Sequence, residues 1–285
     1  MELILTSSTD DFAITMSRLG VFDEEPFYPH PPAQRSETNL RPSVLVVQNA
    51  EWEGPGLIAM HARAVGEDLV TIKLFGKASR AQQVPFEELE KGEYSAVVSL
   101  GPPSTAYLPK TNPRHKELVE LFRLIRKRKI PSFNICYSMH LFCIAHRGKV
   151  VKSPAGKEVG FSKIGLTSEG ESDRVFGPIG PHRTLQWHGD IVEELPQGAI
   201  LLASSEKTRN QVAVLDGIHY LVQSDAQAAT PSMVRSWMRH DGDWATGGTG
   251  VRAVDLVREA VEHEVYFRNT FFRIFGNFLA LIAPT

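Results

Sequence analysis

Between residues 44 and 135 the chain repeats one pattern, a short apolar run followed by a longer stretch of helical character. The runs are VLVV (44–47), LVTIKL (69–74), SAVVSL (95–100) and IPSFNI (130–135). Such runs, rich in β-branched residues, suit strands buried on both faces. Between them LIAMHARAV (57–65) suits a helix, and Leu118, Leu121, Phe122 and Ile125 recur at helical spacing. Strands alternating with helices through short connections predict an α/β fold with a mainly parallel sheet covered on both faces. After Pro154 the texture changes. FSKIGLT, RTLQWH, AILLAS, QVAVL and HYLVQS read as hairpins and the far edge of a mixed sheet. Residues 255–264 and 267–282 read as two closing helices. In the second, Phe267, Phe271, Ile274, Phe275, Phe278 and Ile282 form an apolar stripe suited to a core.

Residues 22–42 carry five prolines without periodicity, so 1–42 is expected to be an N-terminal arm or linker and 43–285 the structured domain. A net charge of −2 gives no basic excess for nucleic acid. The basic residues 126–129 read as a solvated helix C-terminus whose cations complement the helix dipole. The opening residues lack the basic start of a signal peptide, and no apolar stretch is long enough for a bilayer. Two cysteines, Cys136 and Cys143, give no disulfide framework, which suits a reducing cytoplasm. Neither a metal nor a cofactor is expected. A metal would have to use His140, His188 and Asp225, and these have no ligand spacing such as HExxH.

The sharpest local feature is a strand running into a cysteine and straight on into a helix, SFNI-Cys136-YSMHLFCIAH. A nucleophile on such a turn stands above the sheet edge, and the helix N-terminus behind it offers backbone N–H groups to an anion. Cys143 lies seven positions on, roughly 10 Å along the helix, and belongs to core packing.

NICYSMH resembles the Gly-x-Cys-x-Gly-x-Gln elbow of class I glutamine amidotransferases. SLGPPST (99–105) resembles their oxyanion loop. EVGFSKIGLT, QWHGDIVEELPQGAILLASS and NQVAV follow in the family's order, and YLVQSDAQAAT stands at its Gln-Phe-His-Pro-Glu block. The resemblance covers roughly residues 42–282 and implies a three-layer, flavodoxin-like sandwich. It implies Cys136 as nucleophile and the N–H groups of Gly101 and Tyr137 as oxyanion donors, since Pro103 has none to give.

Set against the family pattern, Asp225 stands at the histidine and Gln227 at the glutamate. A carboxylate raises a neighbouring thiol's pKa, and an aspartate near ~3.9 is a poor base for a thiol near ~8.5. Ordinary glutaminase activity is therefore not expected. Ser138 replaces the elbow glycine and His140 the glutamine that helps hold the substrate. These two, with Gly189 and Gln227, are the expected substrate contacts. His188, in QWHGD, is the first choice to replace the missing base and His140 the second, with Asp225 orienting the imidazole. Two readings follow: a Cys136-dependent hydrolase or transferase of a small amide with an amino-acid-like or γ-glutamyl-like head, or a catalytically silent relative that binds a metabolite or partner protein. Because no synthetase domain is read in these 285 residues, an ammonia acceptor is expected on a separate polypeptide, and an oligomer is allowed.

Overall fold

The computed structural model describes residues 43–76 and 82–282, so the expected arm, 1–42, lies outside the described residues. Its first half alternates as the sequence predicts. β1 (Ser43–Gln48) leads to α1 (Leu57–Val65), β2 (Leu69–Lys73) to α2 (Phe86–Lys91), β3 (Tyr94–Ser99) to α3 (His115–Lys127), and β4 (Ser132–Ile135) to α4 (Tyr137–Ala145). The second half contains β5 (Lys149–Lys152), β6 (Glu158–Leu166), the short α5 (Ser168–Glu171), β7 (His182–His188), β8 (Asp190–Glu194), β9 (Ile200–Ser204), β10 (Val212–Leu215) and β11 (His219–Val222). Three helices close the chain: α6 (Pro231–Thr246), α7 (Ala253–Glu262) and α8 (Glu264–Ile282).

Nine strands make one sheet in the order β2-β1-β3-β4-β11-β10-β9-β6-β7, and β5 pairs with β8 apart from it. The first five are parallel to their neighbours and the remainder antiparallel. That parallel order is the flavodoxin-like one, in which ligands gather at the carboxyl ends of the strands.

Strand alternation divides the core. Leu45 and Val47 face one way, onto Leu118 and Phe122 of α3 and Met139 and Phe142 of α4. Val44 and Val46 face the other way, onto Leu57 of α1 and Phe271, Phe275 and Phe278 of α8. Each face of the parallel strands thus has its own helical layer, which is why the runs are apolar at every position.

Three helices escape the sequence reading, the short α2 and α5 and the long α6. α6 is capped by Thr230, whose Oγ1 accepts the Met233 N–H at 3.2 Å, with Pro231 at its first position. Together with α7 it packs Val234, Trp237, Met238, Leu256 and Val257 against Leu185 and Trp187 of β7. α6 thereby lies over the carboxyl ends of the central strands.

Candidate active site

β4 ends at Ile135, and the next residue turns abruptly. Cys136 has φ 52 and ψ −113, a left-handed conformation that a side chain adopts only under constraint. Its N–H is anchored to the Val222 carbonyl at 2.7 Å and its own carbonyl accepts the His140 N–H at 3.1 Å. Strand β11 and the first turn of α4 therefore hold the elbow from both sides, and the half-buried thiol stands at the sheet edge.

Gly101, just past β3, comes so close to the elbow that a Cβ placed on it would lie 3.2 Å from the Tyr137 nitrogen and 3.5 Å from the Cys136 Cβ. Only glycine fits that approach without displacing a neighbour. The sequence-predicted Cys136, Gly101 and Tyr137 are thus brought together. The Tyr137 ring points away into the core, where its hydroxyl accepts from Asn112 Nδ2 at 3.1 Å.

Ser138 sits differently from its expected role as a substrate contact. It is fully buried, and its Oγ donates to the Leu100 carbonyl at 2.8 Å and meets Ser99 Oγ at 2.8 Å. The hydroxyl neither crowds the turn nor reaches the cavity. It ties the elbow helix to the end of β3.

Asp225 takes a different place from the one expected. The groups that act on its carboxyl are the Gln227 amide and the Cys136 thiol rather than an imidazole. Burial pushes the Asp225 carboxyl up to about 7, despite Gln227 and Cys136, which act to lower it. Burial thus raises the carboxyl and the thiol together, Asp225 to about 7 and Cys136 above its ordinary value. Asp225 is 2 % exposed, and its Oδ2 has no hydrogen-bond partner among the described residues. Gln227 lies behind Asp225, buried and away from the cavity lining, so it is not placed to contact a substrate there.

The Cys136 thiol is itself pushed well above its ordinary value, first by burial and then by Asp225 and Glu53, against which the Tyr137 N–H pulls weakly down. Burial and two acids outweigh the helix N-terminus. The thiol also receives the Gln223 amide, Nε2 to Sγ at 3.9 Å, while Gln223 Oε1 lies 2.7 Å from His140 Nε2. Burial lowers His140 to about 4, so it stays neutral and donates to Gln223. His140 lines the cavity but meets the thiol only through that amide.

His188 also lines the cavity without touching the thiol. Its Nδ1 bonds the Asp190 carbonyl at 3.1 Å, and its Nε2 stands 3.4 Å from Glu158 Oε2. Thr208, Ser205 and Gln211 all donate to that same carboxylate oxygen. Burial acts to raise Glu158, but the His188 ring beside it and the Thr208 hydrogen bond hold it below its ordinary value. The acid that orients His188 is therefore Glu158 and not Asp225.

The cavity beside Cys136 has a volume of about 670 Å³. Gly189 lines it, and a Cβ there would meet Trp244 Cζ2 at 3.3 Å, so α6 closes directly over the β7–β8 turn. Among the lining residues not singled out from sequence are Glu53, from the loop after β1, and Trp237, Asp241 and Trp244 from α6. Burial raises the Glu53 carboxyl well above its ordinary value, and Asp225 and Asp241 push it further. The readable signal for α6 was Thr-Pro ahead of Val234, Trp237 and Met238 at helical spacing. For Glu53 there was none.

Residues 58–217, more than half of the chain, match the family model described as glutamine amidotransferase class-I. Among curated relatives, a GMP synthase [glutamine-hydrolyzing] of Parasynechococcus marenigrum is 26% identical over 238 residues, covering 80% of this chain and 42% of the relative. One of Streptococcus mutans is 33% identical over 141 residues, 47% of this chain and 25% of the relative. The chain spans about two-fifths of the length of the first of these. Two solved structures share the fold, each with a TM-score of 0.72. A glutamine amidotransferase from Thermotoga maritima is 22% identical, over 83% of this chain and 97% of that one. A glutamine amido transferase from Methylobacillus flagellatus is 20% identical, over 84% and 94%. Among the described residues no helix is long and apolar enough to cross a membrane.

Proposed function

This chain belongs to the class I glutamine amidotransferase family, and we propose that it cleaves a small amide through Cys136, with Asp225 as the proton acceptor in place of a histidine. The observation that carries this reading is the Asp225 carboxyl, buried on the same cavity as the Cys136 thiol, acted on by it, and lifted to about 7. A group of that pKa can both take and return a proton near neutrality.

The charge balance favours the exchange. With a histidine, moving the thiol proton creates two opposite charges. With Asp225 it moves one negative charge from oxygen to sulfur. The anion that holds the thiol protonated is neutral once it has the proton, which removes that part of the penalty. The thiolate then attacks the amide carbonyl, and the N–H groups of Gly101 and Tyr137 receive the oxyanion. Asp225 returns the proton to the departing amine, leaving an acyl thioester on Cys136. Water, activated by the same carboxylate, releases the acid and restores the thiol.

His188, Gly189 and His140 would bound the substrate's acyl side. An amino-acid-like or γ-glutamyl-like head suits them, while the altered triad argues against glutamine as an ordinary substrate. The GMP synthase relatives are named as glutamine-hydrolysing, and a synthetase or other acceptor on a separate polypeptide belongs to this proposal. One observation favours a second reading, a silent relative that binds a metabolite: the resting thiol is held protonated by burial and two acids.

Intact-mass measurement after incubation with a panel of γ-glutamyl amides separates the two. An acyl adduct on wild type, absent from Cys136→Ala, supports the enzyme. Ligand binding equal in both proteins, with no adduct and no turnover from any amide, establishes the silent relative instead.

A further inference from the structure

All four tryptophans of the chain gather at one place. Trp187, Trp237 and Trp244 line the Cys136 cavity, and Trp52 packs behind them, its carbonyl accepting the Trp237 Nε1–H at 2.9 Å. Interleaved with the indoles are Glu53, Asp225 and Asp241, of which Asp241 accepts the Trp187 Nε1–H at 2.9 Å. Among the described residues none of these three carboxyls is in an ion pair. Two lysines, Lys152 and Lys157, line the same cavity; Lys157 acts to lower Asp241 and is already engaged. Its Nζ donates to the carbonyls of Trp244 and Gly247 at 2.6 and 2.9 Å and lies 4.9 Å from the centre of the Trp244 ring.

We infer that this acidic, indole-lined wall binds an organic ammonium group, and that the amide cleaved at Cys136 therefore releases an alkylamine carrying a cation rather than ammonia. The second half of the inference rests on the proposed hydrolysis; the first does not.

Three observations carry it. The Asp225 Oδ2 atom is buried without a partner and belongs to a residue that lines the cavity, so one acceptor is left for a ligand to fill. Aromatic faces beside carboxylates form the setting that attracts ammonium groups, because ring quadrupole and anion act in the same direction. Third, the acids share the cavity with the thiol. Asp225 and Glu53 both act on Cys136, and Glu53 lies within electrostatic reach of Asp225 and Asp241. The imidazoles of His140 and His188 bound the cavity elsewhere. Each acid raises the cost of ionising its neighbour, and a bound cation relieves that repulsion. A metal does not fit the spacing: among the described residues no group of three or more His, Cys, Asp and Glu side chains could hold one. Glu53, Asp225 and α6 fall outside the matched residues 58–217.

Because every indole lies in or behind the cavity wall, intrinsic fluorescence reports on it selectively. Titration at pH 8 and constant ionic strength with n-butylammonium, n-butanol and butyrate compares cation, neutral and anion at equal length. Saturable binding of butylammonium with a Kd about 10-fold or more below that of butanol is expected, and no binding of butyrate. Glu53→Gln and Asp241→Asn should each weaken butylammonium several-fold while leaving butanol unchanged. Gln matches the shape of Glu53 without its ionisation cost, so the variant should fold, and its melting temperature checks this. Equal affinity for butanol, preference for butyrate, or full ammonium affinity in the double variant overturns the inference. The same titration on Cys136→Ala separates it from the reaction. Ammonium binding there without any acyl adduct in wild type removes the hydrolase reading alone. An adduct in wild type without ammonium binding removes this inference alone.

Discussion

Strand β4 is bracketed by two non-glycine residues in left-handed conformations, Lys129 with φ 55 before it and Cys136 with φ 52 after it, and a cavity opens beside each. The two cavities are similar in size, about 570 and 670 Å³, and opposite in charge. At the entrance Arg123, Arg126, Lys127 and Lys129 line the space; at the exit, Glu53, Asp225 and Asp241. Every unusual feature of the entrance has a local cause. Lys129 terminates α3: its N–H bonds the Arg126 carbonyl at 3.1 Å, and Ile130 N–H returns to Ile125 at 2.8 Å. Arg126 is paired with Asp216 at 2.8 Å, and the other cations complement the end of a helix dipole. Cys136 likewise begins α4, but the carboxyls of the exit have no such cause. They stand unpaired among the described residues, two of them raise Glu53, and Asp225 retains a free acceptor. Charge that serves no helix and no ion pair points to a ligand; charge at a helix end does not.

The largest expected effect tests whether Asp225 is the proton acceptor. Asp225→Asn should slow acylation of Cys136 by about 10³-fold, within the usual range for a lost general base. His188→Ala, which removes a cavity wall but no partner of the thiol, should cost about 10-fold or less. Single-turnover adduct formation measures both, and a greater loss in His188→Ala would restore the imidazole as the base. Asp225 accepts a proton only when ionised, so kcat/KM should rise with pH through about 7.

Stability should respond in the opposite sense. The folded carboxyl of Asp225, at about 7, lies above the unfolded reference of ~3.9, so the native state binds the extra proton between them. Its contribution to stability is then fully present below the unfolded value and is lost as pH rises through the folded one. Asp225→Asn should therefore stabilise the fold at pH 8, on the order of 2 kcal/mol, with the gain vanishing by pH 4. A denaturant midpoint that does not move at pH 8 would show that this carboxyl is not strained by burial.

The two cysteines sharpen the contrast further. Cys136 is half-buried at a cavity and Cys143 is fully buried seven residues along α4, its thiol pushed up by burial alone. Iodoacetamide should modify Cys136 at least ~10-fold faster than Cys143, yet more slowly than an exposed thiol near its reference pKa. Peptide mapping after brief treatment reads this directly; preferential labelling of Cys143 would contradict the elbow geometry.

The parallel half of the fold was legible because burial on both faces writes itself into sequence as unbroken apolar runs, and each predicted run in 44–135 is a strand. The elbow was legible for the same reason, a strand running straight into a helix. The role of Asp225 was not, since its place by the thiol depends on β11 pairing with β4 and its raised pKa on what α6 buries. Glu53, 83 residues before Cys136, carries no local mark of its proximity. α6 was overlooked because His240, Asp241, Gly242 and Asp243 interrupt its apolar stripe, and those polar positions include the carboxyl that faces the cavity. Substrate-facing residues break the helical pattern that would reveal the helix.

The smallest effect separates the two strained residues. A left-handed conformation costs a side-chain-bearing residue about 1 kcal/mol, and glycine escapes it at the price of a more flexible unfolded chain. At Lys129 the strain ends a helix, a position where glycine is the commonest occupant. Lys129→Gly should therefore stabilise the protein by about 0.5 kcal/mol and leave cavity binding and turnover unchanged, since its ammonium is exposed and in no ion pair among the described residues. Cys136→Gly relieves the same kind of strain at the other end of the strand. It should match or exceed that gain, because it also removes a thiol whose proton is held among acids, while abolishing the adduct. Equilibrium denaturation of both variants at pH 7 makes the comparison. If Lys129→Gly lowered turnover, the entrance cavity would not be the inert end of the strand and the contrast between the two ends would fail.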